Sequence, residues 1–259
     1  MTVFPLIVLF SLIGGAFSII GGLLLLYRED IARKLSIYLL SFAAGTLLAV
    51  AFLDLLPEAL EALLDQGAEP AGIFMAAIGG FLLFFLVEGL LFQLHHHHAA
   101  EDDDHCKDTH VSKAPTLLVV GDTLHNLVDG IAITSAFLIS IPTGIGTAIA
   151  VAAHEIPQEI GDFSVMIHAG WKRKEIILWN LLPALATTVG AIITFLLRDK
   201  IEFILGYLLA GTAGIFIYIA ASDLLPELYH VSRRDQLKKT IPLLFLGIIV
   251  MAIGITLAE

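Results

Sequence analysis

Eight stretches of this chain stay apolar for close to the ~20 residues that a helix needs to cross the hydrocarbon core of a bilayer. That property leaves few folds open. Inside lipid every backbone N–H and C=O must be satisfied by the protein itself, so a crossing segment is a helix or a strand of a closed barrel. Barrel strands need only about half this length, so the runs read as helices. They span about Val3–Tyr27, Leu35–Leu56, Ala71–Leu94, Thr116–Ser140, Gly144–Ala169, Ile176–Leu197, Phe203–Leu225 and Ile241–Ala258. Composition agrees: 58% of the 259 residues are hydrophobic, 15% are charged, and the mean hydropathy is +0.89. Soluble domains are nearer half apolar and a quarter charged. The expected fold is an all-α integral membrane protein of eight transmembrane helices, one transmembrane domain over 1–259. Helices one to three fall in 1–94, a His-rich loop in 95–115, helices four and five in 116–169, and helices six to eight in 170–259.

The positive charges give the expected orientation. Arg28, Arg33 and Lys34, then Lys107 and Lys113, then Lys172, Arg173 and Lys174, then Arg233, Arg234, Lys238 and Lys239 occupy alternate loops, leaving only Arg198 and Lys200 on the other side. Cytoplasmic loops carry the excess of Lys and Arg, so both termini are expected outside a cell (plasma or inner) membrane. The first apolar stretch is too long for a signal peptide and lacks a basic n-region, and is read as a retained helix. One cysteine, Cys106, excludes an intramolecular disulfide. A net charge of −11 with no basic patch speaks against nucleic acid.

Between Ala114 and Trp171 there is no Lys or Arg, yet the two apolar segments there carry Asp122, His125, Asn126, Asp129, His154, Glu155, Gln158, Glu159 and Asp162. Ionisable groups in a membrane helix are costly and mark function by default. At roughly 100° per residue, His125 and Asp129 share one face with Asp122 between them in angle, and Asn126 lies at the edge of that arc. On the next helix Gln158 lies in angle between His154 and Glu155, with Asp162 close to Glu155. Two such faces opposed offer imidazole nitrogen, carboxylate oxygen and amide oxygen, a donor set suited to zinc and its first-row neighbours.

Two further features stand out. Asp54-Leu55-Leu56-Pro57-Glu58 recurs as Asp223-Leu224-Leu225-Pro226-Glu227, and Ala44-Gly45 as Ala213-Gly214, at a constant offset of 169 residues. Helices two and seven would cross in opposite directions, so the repeat is inverted, as in transporters with a midplane site. The segment His95–Lys113 holds His95, His96, His97, His98, His105, Cys106 and His110 among acidic residues, a composition that does not build a core and whose imidazoles bind metal. Glu88, a lone carboxylate, reads as interfacial, and the many glycines read as close helix packing.

His125-Asn126-x-x-Asp129-Gly130-x-Ala132-Ile133 and His154-Glu155-x-Pro157-x-Glu159-x-Gly161-Asp162-Phe163 resemble the paired signatures of the ZIP (Zrt-, Irt-like) metal transporters. The resemblance covers the whole chain, His-rich loop and outward termini included. It implies a 3+2+3 arrangement of helices, a homodimer, and divalent metal as the transported substrate: zinc first, with Fe2+, Mn2+ or Cd2+ open. It also implies a metal site at His125, Asn126, Asp129, His154, Glu155 and Glu159, with Asp162 completing the motif. One position departs, because Gln158 stands where one subgroup has histidine. A neutral amide is a weaker ligand, which puts a carboxylate-bridged pair of metals in doubt. The expected function is movement of the metal into the cytoplasm by alternating access, and no nucleotide-binding motif points to ATP. Proton exchange and downhill movement both fit. The alternative is an intramembrane zinc hydrolase, since His154-Glu155-x-x-Gln158 is one side chain short of His-Glu-x-x-His.

Overall fold

The structure, a computed structural model, describes residues 3–64, 66, 67, 69–100, 114–226, 228 and 234–258. The stretch from Glu101 to Lys113, Glu227, and the side chains of His95–His98 and His168 lie outside the described residues. Every regular element among those described is helical: α1 Phe4–Tyr27, α2 Glu29–Val50, α3 Leu56–Leu64, α4 Pro70–Ala100, α5 Ala114–Ile139, α6 Ile141–His168, α7 Arg173–Ile201, α8 Leu205–Tyr218 and α9 Arg234–Ala258. Among the described residues, five helical stretches are long and apolar enough to cross a membrane: Phe4–Tyr27, Glu29–Leu64, Pro70–Leu90, Arg173–Leu224 and Lys238–Leu257. The fourth has 52 residues, about 78 Å at ~1.5 Å per residue, far beyond one ~30 Å crossing. It is divided by a 3₁₀ turn at Glu202–Ile204. The chain is a multi-pass membrane protein.

Several helix boundaries differ from those read in the sequence, each for a local reason. The gap expected over 141–143 is helical. The break is Ser140, whose extended backbone starts α6 and whose side chain accepts a hydrogen bond from the Thr143 N–H at 3.2 Å. Pro142 then sits in the first helical turn, where its missing N–H costs nothing. Helix two does not end at Leu56, just before Pro57. A π-helical turn over Ala51–Leu55 precedes it and lets the helix run on through α3. The helix α4 continues to Ala100, past the Leu94 boundary expected for helix three. At the end of α6, Gly170 takes φ +82°, with the Trp171 N–H bonded to the Met166 carbonyl, a glycine-closed helix terminus.

The second copy of the Asp-Leu-Leu-Pro-Glu motif is preceded by its own π-helical turn, Ile219–Leu224. Asp54 and Asp223 therefore occupy the same unusual backbone setting 169 residues apart. Single π turns inside α-helices gather at functional positions.

Small residues set which helices approach one another, as packing in lipid favours. Gly14, Gly21 and Gly22 of α1 meet Val151, Ile156 and Phe163 of α6, so these two helices run the same way. Gly130 and Gly190 bring α5 and α7 together, and Asn126 meeting Thr187 while the Thr134 hydroxyl donates to the Ala191 carbonyl makes this pair parallel too. Gly15 lies on Ala184 and Thr187 while Ser11 reaches Thr188, which makes α1 and α7 antiparallel. On the other side of the molecule Gly45 and Gly247 join α2 to α9, and Gly80 and Gly214 join α4 to α8; Ser41 on Thr240 ahead of Gly45 on Leu244, and Gly72 on Tyr207 ahead of Gly80 on Gly211, make both pairs parallel. The two groups meet where α2 and its π turn lie against α6, with the Asp54 carboxylate over Gly146. Leu9, Phe17, Phe74, Leu83, Leu86, Leu178, Leu196 and Phe245 face outward, whereas Asp122, Asn126, Asp129, His154, Glu155 and Glu159 are buried. That is the polarity of a protein whose solvent is lipid and whose polar groups turn inward.

Candidate metal centre

The helices α5 and α6 run antiparallel, and the spacing of their polar residues brings four side chains to one point. One ligand atom each from His125, Asp129, His154 and Glu155 lie within 4.8 Å of one another. His125 Nε2 is 3.1 Å from His154 Nε2, 3.6 Å from Asp129 Oδ2 and 3.4 Å from Glu155 Oε1. His154 Nε2 is 3.3 Å from Asp129 Oδ2 and 3.6 Å from Glu155 Oε1. Ligands about 2.0–2.1 Å from a tetrahedral zinc stand roughly 3.3 Å apart, so these atoms already have close to the spacing such an ion requires.

Two observations show what the group is set up to accept. The His154 Nδ1 lies 3.1 Å from the Ala150 carbonyl, which calls for the proton on Nδ1 and turns the Nε2 lone pair into the cluster. Both carboxylate oxygens of Asp129, and Oε1 of Glu155, are buried without a hydrogen bond. Buried polar atoms are normally satisfied, and no Lys or Arg lies anywhere between Ala114 and Trp171. A cation bound among these four residues would supply the missing partner. Phe84 and Phe216 close the sides, their rings 5.2 Å and 6.2 Å from those of His125 and His154.

The remaining polar residues form a layer toward the start of α5. The Asn126 amide nitrogen donates to Asp122 Oδ1 at 3.1 Å and to Glu155 Oε2 at 3.3 Å, so Asn126 ties two carboxylates together rather than joining the four. Gln158 donates to Asp122 Oδ1 at 2.9 Å; its amide is turned to Asp122 and away from the position between His154 and Glu155 that its helical angle suggested. Glu159 is buried with neither oxygen hydrogen-bonded, and Asp162 is buried one turn beyond Gln158. A residue that sequence reasoning passed over completes the layer: Thr187 of α7 donates to Asn126 Oδ1 at 2.7 Å. A threonine among apolar residues carries no signal by itself. The adjoining Gly190, read only as packing, marks the face by which α7 approaches α5.

The model of the ZIP zinc transporter family matches residues 2–116 and 93–254. The chain belongs to the ZIP zinc transporter family. Similar curated proteins include zinc transporter ZIP10 of Danio rerio, 40% identical over 124 residues, 48% of this chain and 15% of that protein. Zinc transporter ZIP6 of Homo sapiens is 35% identical over 133 residues, 51% of this chain and 18% of that protein. Zinc transporter foi of Drosophila melanogaster is 36% identical over 124 residues, 48% of this chain and 17% of that protein. These alignments span less than a fifth of the length of each relative. As a ZIP family chain, this one presents its buried His/Asp/Glu cluster on two helices that the whole-chain signatures singled out.

Proposed function

We propose that the chain carries divalent transition-metal ions, zinc above all, across the membrane into the cytoplasm. The metal is held among His125, Asp129, His154 and Glu155. The observation that carries this reading is the convergence within 4.8 Å of ligand atoms from three buried residues and the partly buried His125, in a region without a balancing side-chain cation. Asp122, Asn126, Gln158, Glu159 and Asp162 form a second polar layer beside it, through which the ion passes on the cytoplasmic side. Metal sheds its water on arrival, and two imidazoles with two carboxylates replace it, a donor set that suits zinc. The oxygen-rich second layer leaves Fe2+, Mn2+ and Cd2+ as further substrates.

The arrangement that supports alternating access is eight crossings in a 3+2+3 order. Such an order requires α1 parallel to α6, α5 to α7, α2 to α9 and α4 to α8, with α1 opposed to α7, and these are the directions in which the pairs pack. The matching π turns at Asp54 and Asp223 support an inverted repeat around the midplane site. With the basic loops in the cytoplasm, both termini lie outside a plasma or inner membrane, and the His-rich loop faces inward. A homodimer follows by family likeness. The hydrolase alternative draws no support, for Gln158 is engaged by Asp122 and the similar proteins carry the names of zinc transporters.

Zinc uptake into sealed vesicles containing the purified chain tests the reading. The expected result is time-dependent accumulation that saturates with zinc and leaves added membrane peptides uncut. Vesicles that accumulate no zinc above protein-free controls would refute it.

A further inference from the structure

Beside the metal centre, α7 contributes one polar group to a cluster otherwise built from α5 and α6. Thr187 is fully buried, and its hydroxyl lies 2.7 Å from Asn126 Oδ1. Its position is fixed from both sides by glycines. Gly15 of α1 lies so close that an added Cβ would stand 2.9 Å from Thr187 Oγ1, and an added Cβ on Gly130 of α5 would collide with the Thr187 carbonyl. Three helices thus pack at the threonine, and only residues without side chains allow it.

The hydroxyl settles which way the Asn126 amide faces. The amide nitrogen lies against two carboxylate oxygens, Asp122 Oδ1 at 3.1 Å and Glu155 Oε2 at 3.3 Å, and also near the Asp122 carbonyl at 3.2 Å. Turned over, the amide oxygen would face three acceptors, each repelling it. In the orientation seen, the oxygen needs a donor, and Thr187 supplies it. The consequence reaches the metal site through Glu155. Its Oε2 is occupied by the amide, while Oε1 is held 3.4 Å and 3.6 Å from the two histidine Nε2 atoms, free of any other hydrogen bond.

We propose that Thr187 is a positioning residue for the metal centre: by donating to Asn126 it locks the amide that aims Glu155 Oε1 at the incoming ion. This inference rests on the metal-centre reading above. Groups that orient a metal ligand typically change metal affinity or activity by 10- to 100-fold when removed. Threonine and valine have nearly the same shape, so Thr187→Val removes the hydroxyl and keeps the packing, whereas Thr187→Ser keeps the hydroxyl and removes the methyl.

The test is zinc titration of the purified full chain against a chromophoric chelator, with His154→Ala marking the signal that belongs to the centre. Thr187→Val is expected to bind zinc about tenfold or more weakly, and Thr187→Ser to stay within about twofold of the wild type. In an Asn126→Ala background, adding Thr187→Val should change nothing further, since the amide it orients is gone. Unchanged affinity in Thr187→Val, equal losses in the Val and Ser variants, or fully additive losses with Asn126→Ala would each overturn the assignment while wild-type binding stands. Failure of the wild-type chain itself to bind zinc would overturn the metal-centre reading, and this assignment with it.

Discussion

Two helix crossings in this molecule are equally buried and differently built. Where α2 meets α9, Gly45 and Gly247 bring backbones together, and the Ser41 hydroxyl spends its donor on the Thr240 carbonyl at 2.6 Å. Several hydroxyls elsewhere in the apolar packing do the same: Ser18, Thr46, Thr123 and Thr194 each donate to a carbonyl three or four residues back in their own helix. Where α5 meets α6, long carboxylates and imidazoles replace the hydroxyls, and Asp129, Glu155, Glu159 and Asp122 retain oxygens without a hydrogen bond. At the crossing of α2 and α9 the serine closes on a backbone carbonyl. The crossing that has to receive a cation leaves polar groups open.

The contrast breaks most sharply under substitution. His154→Ala, His125→Ala or Asp129→Ala is expected to reduce vesicle zinc uptake to background while the protein inserts and elutes as the wild type does. Removing Asp129 costs least stability, because both its oxygens are buried without a hydrogen bond and an unpaired buried polar atom is itself unfavourable. Uptake and size-exclusion profile measured on the same preparations check both halves, and normal transport in all three variants would move the site elsewhere. At the other crossing the prediction reverses. A Cβ on Gly45 would strike the Leu244 carbonyl, and overpacking of this kind costs about 1–3 kcal/mol. Gly45→Ala should therefore lower the thermal midpoint in detergent, yet leave uptake per folded molecule near normal.

Smaller effects sharpen the comparison within the centre. Gln158→His replaces an amide donor to Asp122 with an imidazole beside the four ligands, and should shift preference toward zinc in competition uptake against manganese and iron. An unchanged preference would mean that this side chain never meets the ion. Smallest of all, deleting 95–110 should leave uptake nearly intact, since all four clustered residues belong to α5 and α6. Complete loss in a correctly inserted deletion would bring the His-rich segment into the pathway.

Much of this was legible in the chain because lipid is a strict solvent. Apolar runs of crossing length have to be helices. Helical spacing puts His125, Asp129, His154 and Glu155 on two facing stripes with no cation to pair with, together with Asp122, Asn126, Gln158 and Asp162, without singling out the four that meet. What escaped the sequence lies one step below that spacing. An angle around a helix places Cα and not the end of a flexible side chain, so Gln158 could turn to Asp122. Helix two reads as ending at Leu56, but a π turn shifts the hydrogen-bond register ahead of Pro57 and the helix runs on. Thr187 sits 61 residues from Asn126, and nothing in its neighbours announces a polar partner across the bundle.

The most direct test of the central claim is the zinc K-edge X-ray absorption spectrum of the purified, zinc-loaded chain lacking 95–110, so that the loop histidines contribute nothing. Two imidazoles and two carboxylates predict a first shell of nitrogen and oxygen at about 2.0–2.2 Å, with the multiple-scattering pattern of two histidines, absent when His125 and His154 are both replaced by alanine. The same histidine pattern persisting in the doubly substituted chain would contradict the account.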